Sequence, residues 1–190
     1  MPAALKLITD PKAELAAFPG FAEAMSMLAS GVVLVTCRVG DRPWGMTVTA
    51  FASVSADPPT VLVSLGSETT GARAIAATRR FGVSILAAEQ LSVARYGAEP
   101  GKTKFLEPFA EAGPGDSASP LVAEALAHLD CEVTEAIRVA DHTVFFGRVR
   151  AARASHRGTP LLYHRRDYRA LGGSTRVHTS TGGNFGCPSS

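Results

Sequence analysis

Strand-length apolar runs follow one another along this chain with turns between them, and no helix separates them at regular intervals. Residues 32–39 form a continuous apolar run, and Gly40-Asp41-Arg42-Pro43 reads as a hairpin turn that brings the chain back through Trp44. Val61-Leu62-Val63-Ser64-Leu65 and residues 81–86 are further strands. Two long ones, over 127–136 and 142–154, meet near Asp141, and Leu161-Leu162-Tyr163 pairs with Tyr168-Arg169-Ala170-Leu171 at the end. Helical spacing is confined to Phe21, Ala24, Met25 and Leu28, which Gly31 can terminate, to the alanine-rich 72–77, and to 89–98. Roughly seven or eight strands with two or three short helices predict a mainly β fold, an antiparallel barrel with peripheral helices.

Within this pattern Thr47-Val48-Thr49-Ala50-Phe51-Ala52-Ser53-Val54-Ser55-Ala56 stands apart. As one strand it places Val48, Ala50, Ala52 and Val54 on a core face, and Thr47, Thr49, Phe51, Ser53 and Ser55 on the other. The second face is a row of hydroxyls with one aromatic ring, about 26 Å long at the usual strand rise, and Asp57-Pro58-Pro59 ends it. Such a row suits a flat polar heterocycle, and equally a solvent-facing strand with β-favouring residues.

A chain of 190 residues suits one domain, read here as 21–171, preceded by an irregular arm (1–20, broken at Pro19-Gly20) and followed by a Gly/Ser/Thr tail (172–190). A net charge of +2, spread along the chain, gives no footprint for nucleic acid or a membrane surface. No apolar run approaches the roughly 20 residues that span a bilayer, and the N-terminal residues do not make a signal peptide. Cys37 and Cys131 lie in apolar runs and Cys187 in the tail, with no C-x-x-C and no histidines at ligand spacing. The expectation is reduced thiols in a cytoplasmic protein, with no metal site. No G-x-G-x-x-G follows a strand, so a Rossmann nicotinamide site has no support.

The second chemical feature is the corner Gly66-Ser67-Glu68-Thr69-Thr70, which opens the alanine-rich helix. A helix start offers unpaired N–H groups and partial positive charge, and Ser67, Thr69, Thr70 and Arg73 add donors that suit a phosphate. Glu68 opposes that reading, and ordinary capping explains the same residues. Together, the row and the corner describe a planar ring system carrying a phosphate, which points to flavin mononucleotide or the shorter pyridoxal phosphate.

Gly45-Met46-Thr47-Val48-Thr49-Ala50-Phe51, Ser53-Val54-Ser55, Asp57-Pro58-Pro59 and Val61-Leu62-Val63 resemble the flavin reductase-like family. So do Phe81-Gly82-Val83-Ser84-Ile85-Leu86, Asp141-His142-Thr143-Val144-Phe145-Phe146-Gly147-Arg148-Val149, and Pro160-Leu161-Leu162-Tyr163 with Tyr168. The resemblance implies a split β-barrel homodimer that binds FMN or FAD, reduces it with NADH or NADPH, and serves a separate flavin-dependent monooxygenase. By position, Met46, Thr47, Val48, Thr49, Ala50, Ser53 and Ser55 would cradle the flavin ring. Leu65, Gly66, Ser67, Thr69 and Thr70 would hold the phosphate end, and Phe81 and Gly82 would border the flavin. His142, the expected catalytic residue, and Tyr168 would lie on the nicotinamide side. Trp44 reads as a core or dimer-interface residue. The corner departs from the family pattern, which often has an Asn and a Ser–Arg or Ser–Thr pair, and Ala140 stands where a glycine is usual. Arg148, Arg150 and Arg153, and Arg165, Arg166 and Arg169, are clusters able to attract an anionic dinucleotide. The alternatives are a pyridoxamine-phosphate-oxidase-like enzyme and a non-catalytic flavin- or haem-binding module.

Overall fold

The computed structural model describes residues 20–107, 109–111, 119–155 and 158–172. Helix α1 (Phe21–Ser26) and the short strand β1 (Ser30–Gly31) precede β2 (Val33–Val39), β3 (Arg42–Val48), β4 (Phe51–Ala56) and β5 (Pro59–Gly66). Helix α2 (Thr70–Thr78) and β6 (Arg80–Ile85) follow, then a 3-10 turn (Ala88–Gln90) that runs into α3 (Leu91–Ala98). The small pair β7 (Ala110–Glu111) and β8 (Leu121–Val122) leads to β9 (Ala127–Val139), β10 (His142–Ala154), β11 (Leu161–His164) and β12 (Asp167–Ala170).

Seven antiparallel strands hydrogen-bond in the order β3-β2-β6-β9-β10-β5-β4. β3 and β4 are neighbours in sequence yet occupy opposite ends of that order. Only Thr49 and Ala50 separate them, and the step from Val48 to Phe51 spans at most about 11 Å of chain. The sheet therefore has to curl until its two ends approach. The result is a barrel whose ladder stays open between β3 and β4, the split β-barrel expected from the sequence. Ser64 N–H donates to Ala50 O at 3.0 Å and fastens this seam to β5.

The seam corrects the reading of residues 47–56 as one alternating strand. Val48 is buried, but Thr49 and Ala50 are exposed, and on β4 Ala52 and Val54 face solvent instead of forming a core wall. The chain turns a corner after Val48, and a bulge between Ser53 and Ser55 resets the pleat. The barrel interior is filled by Val33 and Val35 of β2, Met46 and Val48 of β3, Val63 and Leu65 of β5, Phe81, Phe145 and Val133, with Ile75 of α2 against them. Leu34, on the other face of β2, packs with Val93, Ala94, Leu106 and Leu161. Burial on both faces explains why 32–39 reads as unbroken apolar sequence.

Helix α1 is the short helix that the spacing predicts, but it stops well before Gly31. It ends at Ser26 and buries none of its residues, with Phe21 and Met25 at 65% and 50% exposure and Leu28, just beyond it, at 61%. The first hairpin is tighter than expected, with Gly40 at φ 60 and Arg42 and Pro43 already in β3. Pro43 is tolerated there because β3 ends the sheet. β9 runs on to Val139, past the predicted end at 136. Ala140, at φ 52, occupies the left-handed region in the β9–β10 turn, which accounts for the glycine usual there. The expected arm and tail lie outside the described residues, apart from Gly20 and Gly172.

Cys37 and Cys131 are buried free thiols, and burial pushes both up to about 12, with Asp130 adding to the effect at Cys131. A thiol so held is protonated and inert near neutral pH. Iodoacetamide labelling followed by peptide mass spectrometry is expected to leave both unmodified in the native protein and to modify both after denaturation. Labelling of either under native conditions would contradict this packing.

Candidate functional site

A cavity of about 580 Å³ opens at the seam. One wall is the β3 end and corner, from Trp44 and Met46 through Thr47, Val48, Thr49 and Ala50. A second is the end of β5 and the start of α2, with Ser64, Leu65, Gly66, Glu68, Thr69 and Thr70. The third is the end of α3 and the loop after it, Gly97, Ala98, Gly101, Lys102 and Lys104, and His142 completes the rim.

Local chemistry fixes each wall. Thr47 Oγ1 donates to Ala94 O at 2.7 Å and ties β3 to α3. Gly97 lets that helix lie close, since a Cβ there would overlap Thr47 Oγ1 and stand 2.9 Å from Thr47 N. The missing side chain of Gly71 likewise makes room for the Met46 thioether. Thr69 caps α2, its hydroxyl accepting from Ala72 N at 3.2 Å and donating to Gly66 O at 2.8 Å. Ser67 N–H donates to Asp141 O at 2.9 Å, and Ser67 Oγ lies 2.8 Å from Thr143 Oγ1. With His142 paired opposite Gly66, these bonds clamp the start of β10 beside the start of α2.

The charges favour an anion at this end. Arg73, at 2.6 Å, and Arg138, at 3.5 Å, both pair with Glu68. The hydrogen bond from Arg73, foremost, holds the Glu68 carboxyl below its usual range. Two guanidiniums thus answer the one carboxylate that opposed a phosphate in the sequence reading. Across the cavity stand Lys102, paired with Glu99 at 2.8 Å, and Lys104, whose ammonium is pushed below its ordinary value by burial. Asp141 Oδ1 lies 2.7 Å from His142 Nδ1, and this bond lowers the Asp141 carboxyl. His142 Nε2 is the ring nitrogen left for a ligand, and the ring is half exposed on the rim. Trp44 Nε1 is a buried donor with no partner among the described residues.

Of the residues singled out from sequence, Met46, Thr47, Val48, Thr49, Ala50, Leu65, Gly66, Thr69, Thr70 and His142 share this cavity. Ser67 stands beside it, engaged with Asp141 and Thr143. Four others lie outside this cavity. Ser53 and Ser55 sit beyond the corner on β4, and Ser55 Oγ closes the strand's turn by bonding Asp57 O at 3.0 Å. Phe81 is fully buried inside the barrel, and Gly82 packs against Thr36 and Ser119, because β6 is central in the sheet and far from the seam. Tyr168 lines a neighbouring cavity of about 560 Å³ that shares Thr47, Thr49 and Ala98 with the first. Sequence reasoning missed Gly97, Ala98, Gly101, Lys102 and Lys104, and it read Trp44 as a core or dimer-interface residue rather than a cavity-lining one. The signal was a lysine pair in a Gly/Pro-rich excursion, brought to β3 by Gly45 N–H bonding Lys104 O at 3.0 Å.

Fold and cavity together define a class of small split-barrel domains with a polar cavity at the seam between β3 and β4. This chain belongs to the flavin reductase-like domain family, whose model matches residues 25–172. It is 36% identical over 156 residues to an NADH-dependent flavin reductase of a Rhodococcus species, covering 78% of this chain and 84% of that protein. Among solved structures it is similar to the NADH:FAD oxidoreductase of Streptomyces globisporus C-1027 in complex with NAD and FAD fragments. That match has 29% identity, a TM-score of 0.76, and coverage of 90% of this chain and 100% of the other. The styrene monooxygenase flavin reductase of Pseudomonas putida S12 matches at 31% identity and a TM-score of 0.72, over 80% and 96% of the two chains.

Proposed function

We propose that this chain is an NAD(P)H-dependent flavin reductase that binds FMN or FAD in the seam cavity and supplies reduced flavin to a separate flavin-dependent monooxygenase. The observation that carries the site assignment is the pairing in one cavity of a hydroxyl-bearing strand end with a capped, cation-flanked helix start. The residues fit the group. A cavity of about 580 Å³ is of ligand size, and the donors at its two ends differ as a polar ring and a phosphate require. Bound flavin supplies the chemistry, accepting a hydride from the nicotinamide.

The chain's own residues bind and orient. Thr49 and the Thr47–Ala50 backbone would hold the ring edge, while Thr69, Thr70 and Lys104 would hold the phosphate. Asp141 fixes the His142 ring through Nδ1, which would leave Nε2 at the cavity rim to hydrogen-bond the nicotinamide. Exclusion of water and a fixed distance between two flat rings demand no acid/base dyad, and none is needed here. His142→Ala is expected to lower kcat about tenfold, the value of roughly one positioned hydrogen bond, with flavin affinity within about twofold of wild type. An unaltered kcat would make His142 a bystander.

The similarity to a styrene monooxygenase flavin reductase and to a monooxygenase reductase component supports a separate oxygenase as partner. A second copy of this chain is the further partner. Ala52 and Val54 of β4 and Ile137 and Val139 of β9 are exposed, and they lie on sheet edges and faces that a homodimer would cover. In this reading residues 21–171 are the flavin-binding unit, and the buried free thiols together with NAD(P)H use support a cytoplasmic location. Among the described residues no helix is long and apolar enough to cross a membrane.

The test mixes purified protein with NADH or NADPH and follows nicotinamide oxidation with and without FMN or FAD. Oxidation that depends on added flavin is expected. Tight flavin binding without turnover would replace the reductase with a storage module, and absence of both would remove the flavin site.

A further inference from the structure

A carboxylate stands at the end of the cavity assigned to phosphate. Among the described residues Glu68 is the only acidic one that lines the cavity, beside Lys102, Lys104 and His142. Its Oε2 accepts from Arg73 Nη2 of α2 at 2.6 Å, and its Oε1 from Arg138 Nη2 of β9 at 3.5 Å. We propose that Glu68 is a specificity-determining residue of this site: before flavin binds, its carboxylate occupies Arg73 and Arg138 in place of the flavin phosphate, which must displace it. The consequence is a weakened hold on phosphate-bearing flavins, so that the reduced product leaves readily for its oxygenase. The inference rests on the flavin reductase reading, which supplies that ligand.

Three observations carry it. First, the carboxylate stands between the cavity and both cations. Glu68 lines the cavity and pairs with both guanidiniums, whereas neither Arg73 nor Arg138 lines it. The two cations arrive from different elements. Arg73 belongs to the start of α2, which Thr69 caps. Arg138 stands opposite Thr143 in the β9–β10 ladder, and Thr143 Oγ1 lies 2.8 Å from Ser67 Oγ at the same corner. Two guanidiniums converging beside a helix start make a position for an anion, and the chain fills it with its own side chain.

Second, the arrangement can exchange. Glu68 is the only side-chain partner of either arginine among the described residues, and all three side chains are largely exposed. Ion pairs in such surroundings contribute little. A phosphate brings more negative charge than a carboxylate, with three acceptor oxygens that suit guanidinium forks. The released Glu68 side chain has solvent to turn into.

Third, the carboxylate is charged near neutral pH. The hydrogen bond from Arg73, foremost, holds it below its usual range. A negative charge therefore borders the place where Thr69, Thr70 and Lys104 would meet the phosphate. Left there beside a bound phosphate, it would repel it.

Calorimetry with FMN and with riboflavin is the direct probe. Glu68→Gln is expected to bind FMN about tenfold tighter than wild type, the scale of a partly screened unit charge a few ångströms away. The gain is expected in a slower dissociation rate. Riboflavin, which has no phosphate, is expected to bind both proteins within about twofold, and so reports that the variant has folded with its cavity intact. Glu68→Ala removes the carboxylate by another route and is expected to repeat the gain. An Arg73→Gln/Arg138→Gln background separates exchange from plain repulsion. There Glu68 has no cation to hold it, so adding Glu68→Gln is expected to change FMN affinity by no more than about twofold. A gain for FMN alone that vanishes on that background supports the proposal. Wild-type FMN affinity in both Glu68 variants, a gain shared by riboflavin, or a gain that persists without the two arginines overturns it, as does FMN binding by none of these proteins. Absence of flavin-dependent NADH oxidation in the wild type would count against the reductase reading, and the FMN titrations would still report on Glu68.

Discussion

Gly97→Val is expected to lower stability by about 3 kcal/mol, at the upper end of what overpacking costs, and to abolish flavin binding in whatever folds. Helix propensity favours valine over glycine by only a few tenths of a kcal/mol, so sterics decide the sign. A Cβ at this position meets Thr47 Oγ1, Leu34 Cδ1 at 2.6 Å and the Thr47 backbone nitrogen at 2.9 Å. Leu34 can shift, but β3 backbone cannot move without opening the sheet end. The added methyls would push α3 off β3, break the bond from Thr47 Oγ1 to Ala94 O, and spoil the wall shared by both cavities. Thermal melting beside wild type and a flavin titration check both parts. A variant that melts with wild type would show that the close approach at Gly97 is not needed.

Lys104→Gln is expected to weaken FMN binding about 10- to 30-fold, the value of a charge-assisted hydrogen bond of roughly 1.5–2 kcal/mol. Riboflavin, which has no phosphate, is expected to bind both proteins within about twofold. The contrast matters more than either number, because a general loss of cavity shape would weaken both ligands equally. The pH dependence has a definite sign. Burial lowers the Lys104 ammonium below its ordinary value, so its attraction for phosphate is complete below that lowered value and is lost as pH rises through it. Wild-type affinity for FMN is therefore expected to fall at alkaline pH where the glutamine variant's stays flat. Equal loss of riboflavin and FMN would move the phosphate away from Lys104.

What the sequence disclosed follows from what is local. The runs at 32–39 and 142–154 and the helix after Thr69 rest on periodicity and capping, which neighbours in sequence decide, and they stand within a residue or two of the observed elements. The corner at Thr49 and Ala50 does not rest on neighbours. It exists because β3 and β4 end opposite sides of one curled sheet, and the order of strands is a tertiary matter. An unbroken alternation of small hydroxyl and apolar residues carried no mark of that turn. The same reason separates Phe81 from the cavity, since its strand is central and its ring fills the space over Gly147. Lys104 was hidden for the opposite reason. It belongs to a long excursion without periodicity, and only the bridge between Trp44 and Phe105 brings it to β3. Arg166 was visible as part of a basic cluster, but its left-handed backbone and its place beside Tyr168 were not.

The central claim is that the seam between β3 and β4 is the flavin berth. A crystal structure of the protein soaked with FMN tests it most directly. The account predicts ring density along the Thr47–Ala50 wall beneath Gly97 and Ala98, with the phosphate at Thr69, Thr70 and Lys104. Flavin bound elsewhere on a protein that turns over, with the seam closed by its own side chains, would contradict it.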